Sequence, residues 1–142
     1  MTAAKRLFPA DPGVLTAINE WLRAQGEGFA MWTAVAFKME LCVEEIVTNA
    51  IKYGFVGDTA KDGWVEIGLL ASGGGLKLCI ADNALPFNPL EHVQNAPPTS
   101  LESAPIGGLG IHLVRELAET VRYDRIGGRN VLTIEFAAPA PP

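Results

Sequence analysis

Two stretches of the sequence alternate apolar and polar residues about a glycine turn, and each prescribes an antiparallel hairpin. GWVEIGLLA and GLKLCIAD are joined through SGGG, and TVRYDRIGGRNVLTIEF turns at Gly127-Gly128. A period of two marks half-buried strands, and adjacent glycines suit the tight turns that join them. AKRLF offers a short first strand. Three helices are expected around these hairpins. PADPGVLTAINEWLRAQG reads as a helix with Asp11 as N-cap, Pro12 at the first helical position and Gly26 as terminator. Its apolar face is Val14, Leu15, Ile18, Trp21 and Leu22. A second helix should run from about Met31 to Tyr53, closed by Gly54, and GGLGIHLVRELAE is a Gly-rich turn feeding a third. The expected fold is α+β: a two-layer sandwich of a mixed, mainly antiparallel sheet with helices on one face.

The chain has 142 residues, enough for one domain with a sizeable core. Residues 1–136 are assigned to that domain and 137–142, ending in APAPP, to a disordered tail. Hydrophobic residues make up 49% and charged residues 19%, which places the chain among globular rather than disordered sequences. Formal net charge is -5, with Lys and Arg scattered, and this argues against a nucleic-acid partner, which needs a concentrated basic patch. Nucleotide binding remains open, because it can rest on backbone N–H groups and a metal ion. Cys42 and Cys79 sit in apolar runs without metal-type spacing and read as reduced core thiols of a cytoplasmic protein. MTAAKRLFPADPG has no apolar h-region, so no signal peptide is expected, and no apolar run is long enough for a membrane helix. Residues 83–106 are rich in Pro, Asn and Ser and read as a long loop, a feature usually functional or mobile in a compact domain.

The second helix carries polar groups beside its apolar stripe. On a helical wheel Trp32, Val35, Met39, Val43, Ile46 and Ala50 form the stripe that packs on the sheet. Lys38, Glu45, Asn49 and Lys52 cluster on another face, and Glu44 on a third, facing solvent or a partner. Glu45 and Asn49 are i and i+4, hence neighbours. A solvated face would explain them. So would chemistry: an amide oxygen is a hard neutral ligand suited to Mg²⁺, a carboxylate one turn away can take the proton of an attacking hydroxyl, and a lysine can meet phosphate.

Asp82 ends an apolar strand in CIADNALPF. It either caps a turn or serves as a buried acceptor for an exocyclic amine. Gly107, Gly108 and Gly110 open the third helix, where free N–H groups and the helix dipole attract phosphate. The segment is not a P-loop, since GK[ST] is missing.

Taken in order, EEIVTNAIKYG resembles the N box of the GHKL ATPase superfamily, DNALPF its first glycine box, GGLG its second, and NVLTIEF its closing strand. Within that superfamily LPFNP and GGLGIHLVRELAETVRYDR are most similar to the anti-sigma-factor serine/threonine kinases. The resemblance implies a histidine-kinase-like ATPase fold that uses ATP and Mg²⁺ to phosphorylate a Ser or Thr of an anti-anti-sigma (STAS-type) domain, releasing ADP, and that binds a sigma factor when free. It also implies a possible homodimer. By position, Glu45 would be the general base and Asn49 the Mg²⁺ ligand. Asp82 would bind the adenine amino group. Gly107, Gly108, Leu109 and Gly110 would wrap the phosphates, with residues 86–106 as a lid over ATP. Lys52 matches a basic position facing the nucleotide, Arg115 a basic position in the following helix, and Thr133 a Thr near the adenine. The resemblance departs at Ala84, where the first glycine box has Gly; a methyl there could crowd the nucleotide, but with Asp82 retained, binding is expected to survive. Two other functions fit the same motifs: a non-catalytic nucleotide-binding module that sequesters a partner, and a detached histidine-kinase ATPase domain. The second needs a His-bearing helix elsewhere, because His92 and His112 read as structural or surface residues.

Overall fold

The computed structural model describes residues 3–55, 61–92 and 108–137. They form five strands and three helices in the order β1 (Ala3–Pro9), α1 (Val14–Gly26), α2 (Trp32–Asn49), β2 (Trp64–Ser72), β3 (Gly75–Asp82), α3 (Gly108–Leu117), β4 (Thr120–Ile126) and β5 (Arg129–Phe136). The strands make one sheet in the order β1-β2-β3-β5-β4, and every ladder in it is antiparallel. Both hairpins turn where the glycine pairs prescribe. Gly73 and Gly74 have φ of 55° and 84°, and Gly127 and Gly128 have 57° and 76°. Two successive positive φ values define the turn that matches strand twist, and a side chain at any of the four would strain it.

Alternation puts one set of side chains under the helices. Val65, Ile67 and Leu69 of β2, Leu76, Leu78 and Ile80 of β3, and Leu132, Ile134 and Phe136 of β5 are all buried. They form one core with Ile18 and Leu22 of α1, Met39, Val43 and Val47 of α2, and Ile111 and Val114 of α3. Each such side chain contributes roughly 1.5–3 kcal/mol when fully buried. The opposite face is laced with charge: Glu66 lies near Lys5 and Arg129, Lys77 pairs with Glu135, and Arg122 with Asp124. Cys79 lies on that face, half-buried, whereas Cys42 is in the core, where burial pushes its thiol up to about 12.

Three local expectations are corrected. Asp11 does not cap α1 as its N-cap: its Oδ1 accepts from Gly13 N at 3.0 Å, a turn that precedes the helix, which starts at Val14 after Pro12. Gly26 is the last residue of α1, but without a positive φ; a Cβ there would overlap the Trp32 indole, so the glycine allows a close approach. The second helix does not continue as α-helix to Tyr53. After Asn49 it widens into a π-turn, Ala50–Gly54, closed by Phe55 N donating to Ala50 O at 3.2 Å. Of the long loop, residues 83–92 are described and include a 3₁₀ turn at Pro89–His92; residues 93–106 and the tail from 138 lie outside the described residues. Among the described residues no helix is long and apolar enough to cross a membrane.

Gly26→Ala should lower stability by about 1–3 kcal/mol, the cost of overpacking against a fixed aromatic ring. Urea unfolding measures it; an unchanged midpoint would contradict the Gly26–Trp32 contact.

Candidate nucleotide site

Four polar side chains are buried among the described residues: Asn49, Asp82, Asn130 and Thr133. Three of them line a single pocket, between the end of α2, the end of β3 and the start of β5. Buried polar groups need partners, and Asn49, Asp82 and Asn130 each have them.

Asn49 Nδ2 donates to Glu45 Oε1 at 2.8 Å. The bond fixes the amide, leaving Asn49 Oδ1 as the oxygen available to a hard cation. The first turn of α3 lies against Glu45 so closely that a Cβ on Gly110 would overlap the carboxylate. Only glycine permits this approach. It sets Glu45 beside the positive end of α3, where the backbone of Gly108 and Leu109 also lies.

Asp82 accepts two hydrogen bonds on one oxygen: Oδ1 takes Ala84 N at 3.0 Å and Asn130 Nδ2 at 2.8 Å. Burial pushes its carboxyl above the ordinary carboxylate value. The Asn130 and Ala84 hydrogen bonds and the charge of Arg125 pull it back down. Ala84, the departure from glycine, is 2% exposed and has no positive φ. A Cβ on Gly54 would come within 2.9 Å of the Ala84 methyl, so the missing side chain at 54 makes room for the one at 84. Leu85 N donates to Gly54 O at 3.2 Å and ties the two segments together.

Asn130 is the residue that sequence reasoning missed, with its partners Tyr123 and Arg125. It faces Asp82 across the β3–β5 ladder. Its signal was parity: 130 shares the face of Leu132, Ile134 and Phe136. By the same parity Thr133 is not in the pocket. It is buried opposite Cys79 on the other face of the sheet.

Other expected site residues divide similarly. Lys52 is exposed, falls within the π-turn and does not line this pocket. Arg115 is exposed in the last turn of α3, and Glu44 is exposed on α2. His112 lies in α3 with Nε2 buried and unpartnered. His92 belongs to the 3₁₀ turn, Gly107 lies outside the described residues, and so does the lid beyond residue 92. No group of three or more His, Cys, Asp or Glu side chains that could hold a metal occurs among the described residues. A Mg²⁺ at Asn49 would therefore fit only as one that draws its remaining ligands from phosphate and water, the usual habit of that ion. The void of this pocket is about 30 Å³, room for one or two waters.

A family model described as a histidine kinase-like ATPase domain matches residues 8–136. The chain belongs to this family. It is 30% identical over 105 residues to the serine/threonine-protein kinase BtrW of Bordetella bronchiseptica, covering 72% of each chain. It is 28% identical over 102 residues to the serine-protein kinase RsbW of Listeria monocytogenes, covering 69% of this chain and 64% of that one. Among solved structures, the blue-light-activated histidine kinase EL346 of Erythrobacter litoralis has a kinase domain similar at TM-score 0.46 and 21% identity, over 69% of this chain and 42% of that one. The histidine kinase AdeS of Acinetobacter baumannii is similar at TM-score 0.48 and 16% identity, over 96% and 68%. In this member of the histidine kinase-like ATPase family, Gly54 leaves room for the methyl group of Ala84, two residues after Asp82.

An ionised, buried Asp82 costs stability. The raised carboxyl binds a proton more readily folded than unfolded, so this cost is full above its raised value and vanishes as pH falls below the ordinary 3.8. Asp82→Asn keeps an acceptor for Ala84 N and Asn130. It should stabilise the fold at pH 7.5 by about 0.5–2 kcal/mol, as relief of a strained functional group commonly does. Thermal unfolding should show this gain shrink towards pH 4. A gain independent of pH, or a loss at pH 7.5, would count against the assignment.

Proposed function

We propose that the chain is an ATP- and Mg²⁺-dependent protein serine/threonine kinase of the cytoplasm, acting on an anti-anti-sigma (STAS-type) domain and regulating a sigma factor. The observation that carries the reading is the Glu45 carboxylate held between the Asn49 amide and the first turn of α3. The kinase names of the two relatives support it. In this reading the free oxygen of Asp82 accepts a hydrogen bond from the adenine amino group. Backbone N–H groups of Gly108, Leu109 and Gly110 receive phosphate oxygens. A Mg²⁺ held by Asn49 Oδ1 and phosphate oxygens would neutralise charge on the transferring group. Glu45 takes the proton from the serine or threonine hydroxyl as its oxygen bonds to the γ-phosphorus and the bond to the β-phosphate oxygen breaks. The void of the pocket as it stands is about 30 Å³, with Phe87 and Pro89 in its lining.

That small void also favours a second reading, a non-catalytic module that sequesters its partner. Glu45→Ala separates the two. Under the kinase reading it should lower phosphoryl transfer by about 100-fold or more while ATP affinity stays within about threefold. Transfer at the wild-type rate would remove Glu45 as base. Tight ATP binding by the wild type without any transfer to a STAS-type domain would favour the second reading.

A further inference from the structure

We infer that Asn130 is a positioning residue that makes the pocket select a 6-amino over a 6-oxo purine, by fixing which atom of Asp82 meets the ligand. The inference rests on the nucleotide reading above and adds a determinant of base specificity to it.

The amide of Asn130 is held from both ends. Its Oδ1 receives Tyr123 OH at 2.6 Å, Arg125 Nη1 at 3.1 Å and Phe87 N at 3.2 Å. Its Nδ2 donates to Asp82 Oδ1 at 2.8 Å and to Leu85 O at 2.9 Å. A flipped amide would set oxygen against two acceptors and NH₂ against three donors, so the network permits one orientation. Asp82 Oδ1 is then engaged twice, by Nδ2 and by Ala84 N, and a proton on that oxygen is excluded. The atom left for a ligand is Oδ2. As an ionised acceptor it pairs with an exocyclic amine and opposes a carbonyl oxygen. Protonated, it would donate to that carbonyl and the preference would reverse. Burial pushes Asp82 towards the protonated form, and Asn130 with Arg125 opposes it. Arg125 also donates to Ala84 O at 3.0 Å, tying the turn after Asp82 to the same network. Asn130 is 7% exposed, so water does not substitute freely for these bonds.

Calorimetric titration of the full chain in Mg²⁺ buffer with ATP and with inosine triphosphate, which differs at the 6-position, tests this. The wild type should prefer ATP by at least about 100-fold, since a site built around a hydrogen bond rejects the analogue lacking it. Asn130→Leu should reduce that ratio about tenfold, and Tyr123→Phe, which frees the amide of one donor, about threefold. A residue that only supports the fold would weaken both nucleotides alike and leave the ratio unchanged. An unchanged ratio in both variants overturns the inference and leaves the nucleotide site standing. If Asn130→Leu does not fold, Tyr123→Phe decides by itself. Wild type that binds neither nucleotide overturns the nucleotide site and this inference with it.

Discussion

Asp82 and Asn130 face each other across one rung of the β3–β5 ladder, and the pocket depends on that rung. A carboxylate and an amide are costly beneath an apolar sheet face unless each is paired. They pair with each other, and the remaining valences of the amide reach Tyr123 and Arg125 of β4 and the segment after Asp82. The segment is therefore held by polar bonds to the sheet, with Leu85 N also bonded to Gly54 O. Removing either member takes one buried hydrogen bond from the other, so the two are energetically coupled.

The second constraint is steric and acts on α2. Its apolar side builds the core through Met39, Val43 and Val47, while its polar side brings Glu45 and Asn49 together one turn apart. The helix then widens into the π-turn, and Gly54, at its end, leaves the space that the Ala84 methyl occupies. Gly110 does the same for Glu45 from the side of α3. Two absent side chains thus set how close three backbone segments come to the pocket, and each is matched to one neighbour rather than to a turn.

Much of this was legible in the sequence because it is local. The glycine pairs prescribe both hairpins, and i, i+4 spacing makes Glu45 and Asn49 neighbours whatever the fold. Asp82 stood out as a carboxylate closing an apolar strand. Asn130 was not legible, because its role comes from register with a residue on another strand, although alternation along β5 already set Thr133 on the opposite face. Lys52 falls in a π-turn, which periodicity does not reveal and which interrupts the regular helical phase assumed for it. Asp11 accepts a hydrogen bond from the backbone two residues on, but it stands three residues before Val14, where α1 begins. The order of N box and glycine boxes carried the family, which the match over residues 8–136 bears out.

The most direct measurement is calorimetric titration of ATP, with and without Mg²⁺, into the wild type and Asp82→Ala. The expected result is magnesium-dependent binding to the wild type, weakened by about 100-fold or more in the variant, because a buried hydrogen-bond partner of the base is gone. Equal affinity in the two proteins would contradict the role of Asp82, and no binding to the wild type would contradict the nucleotide site itself.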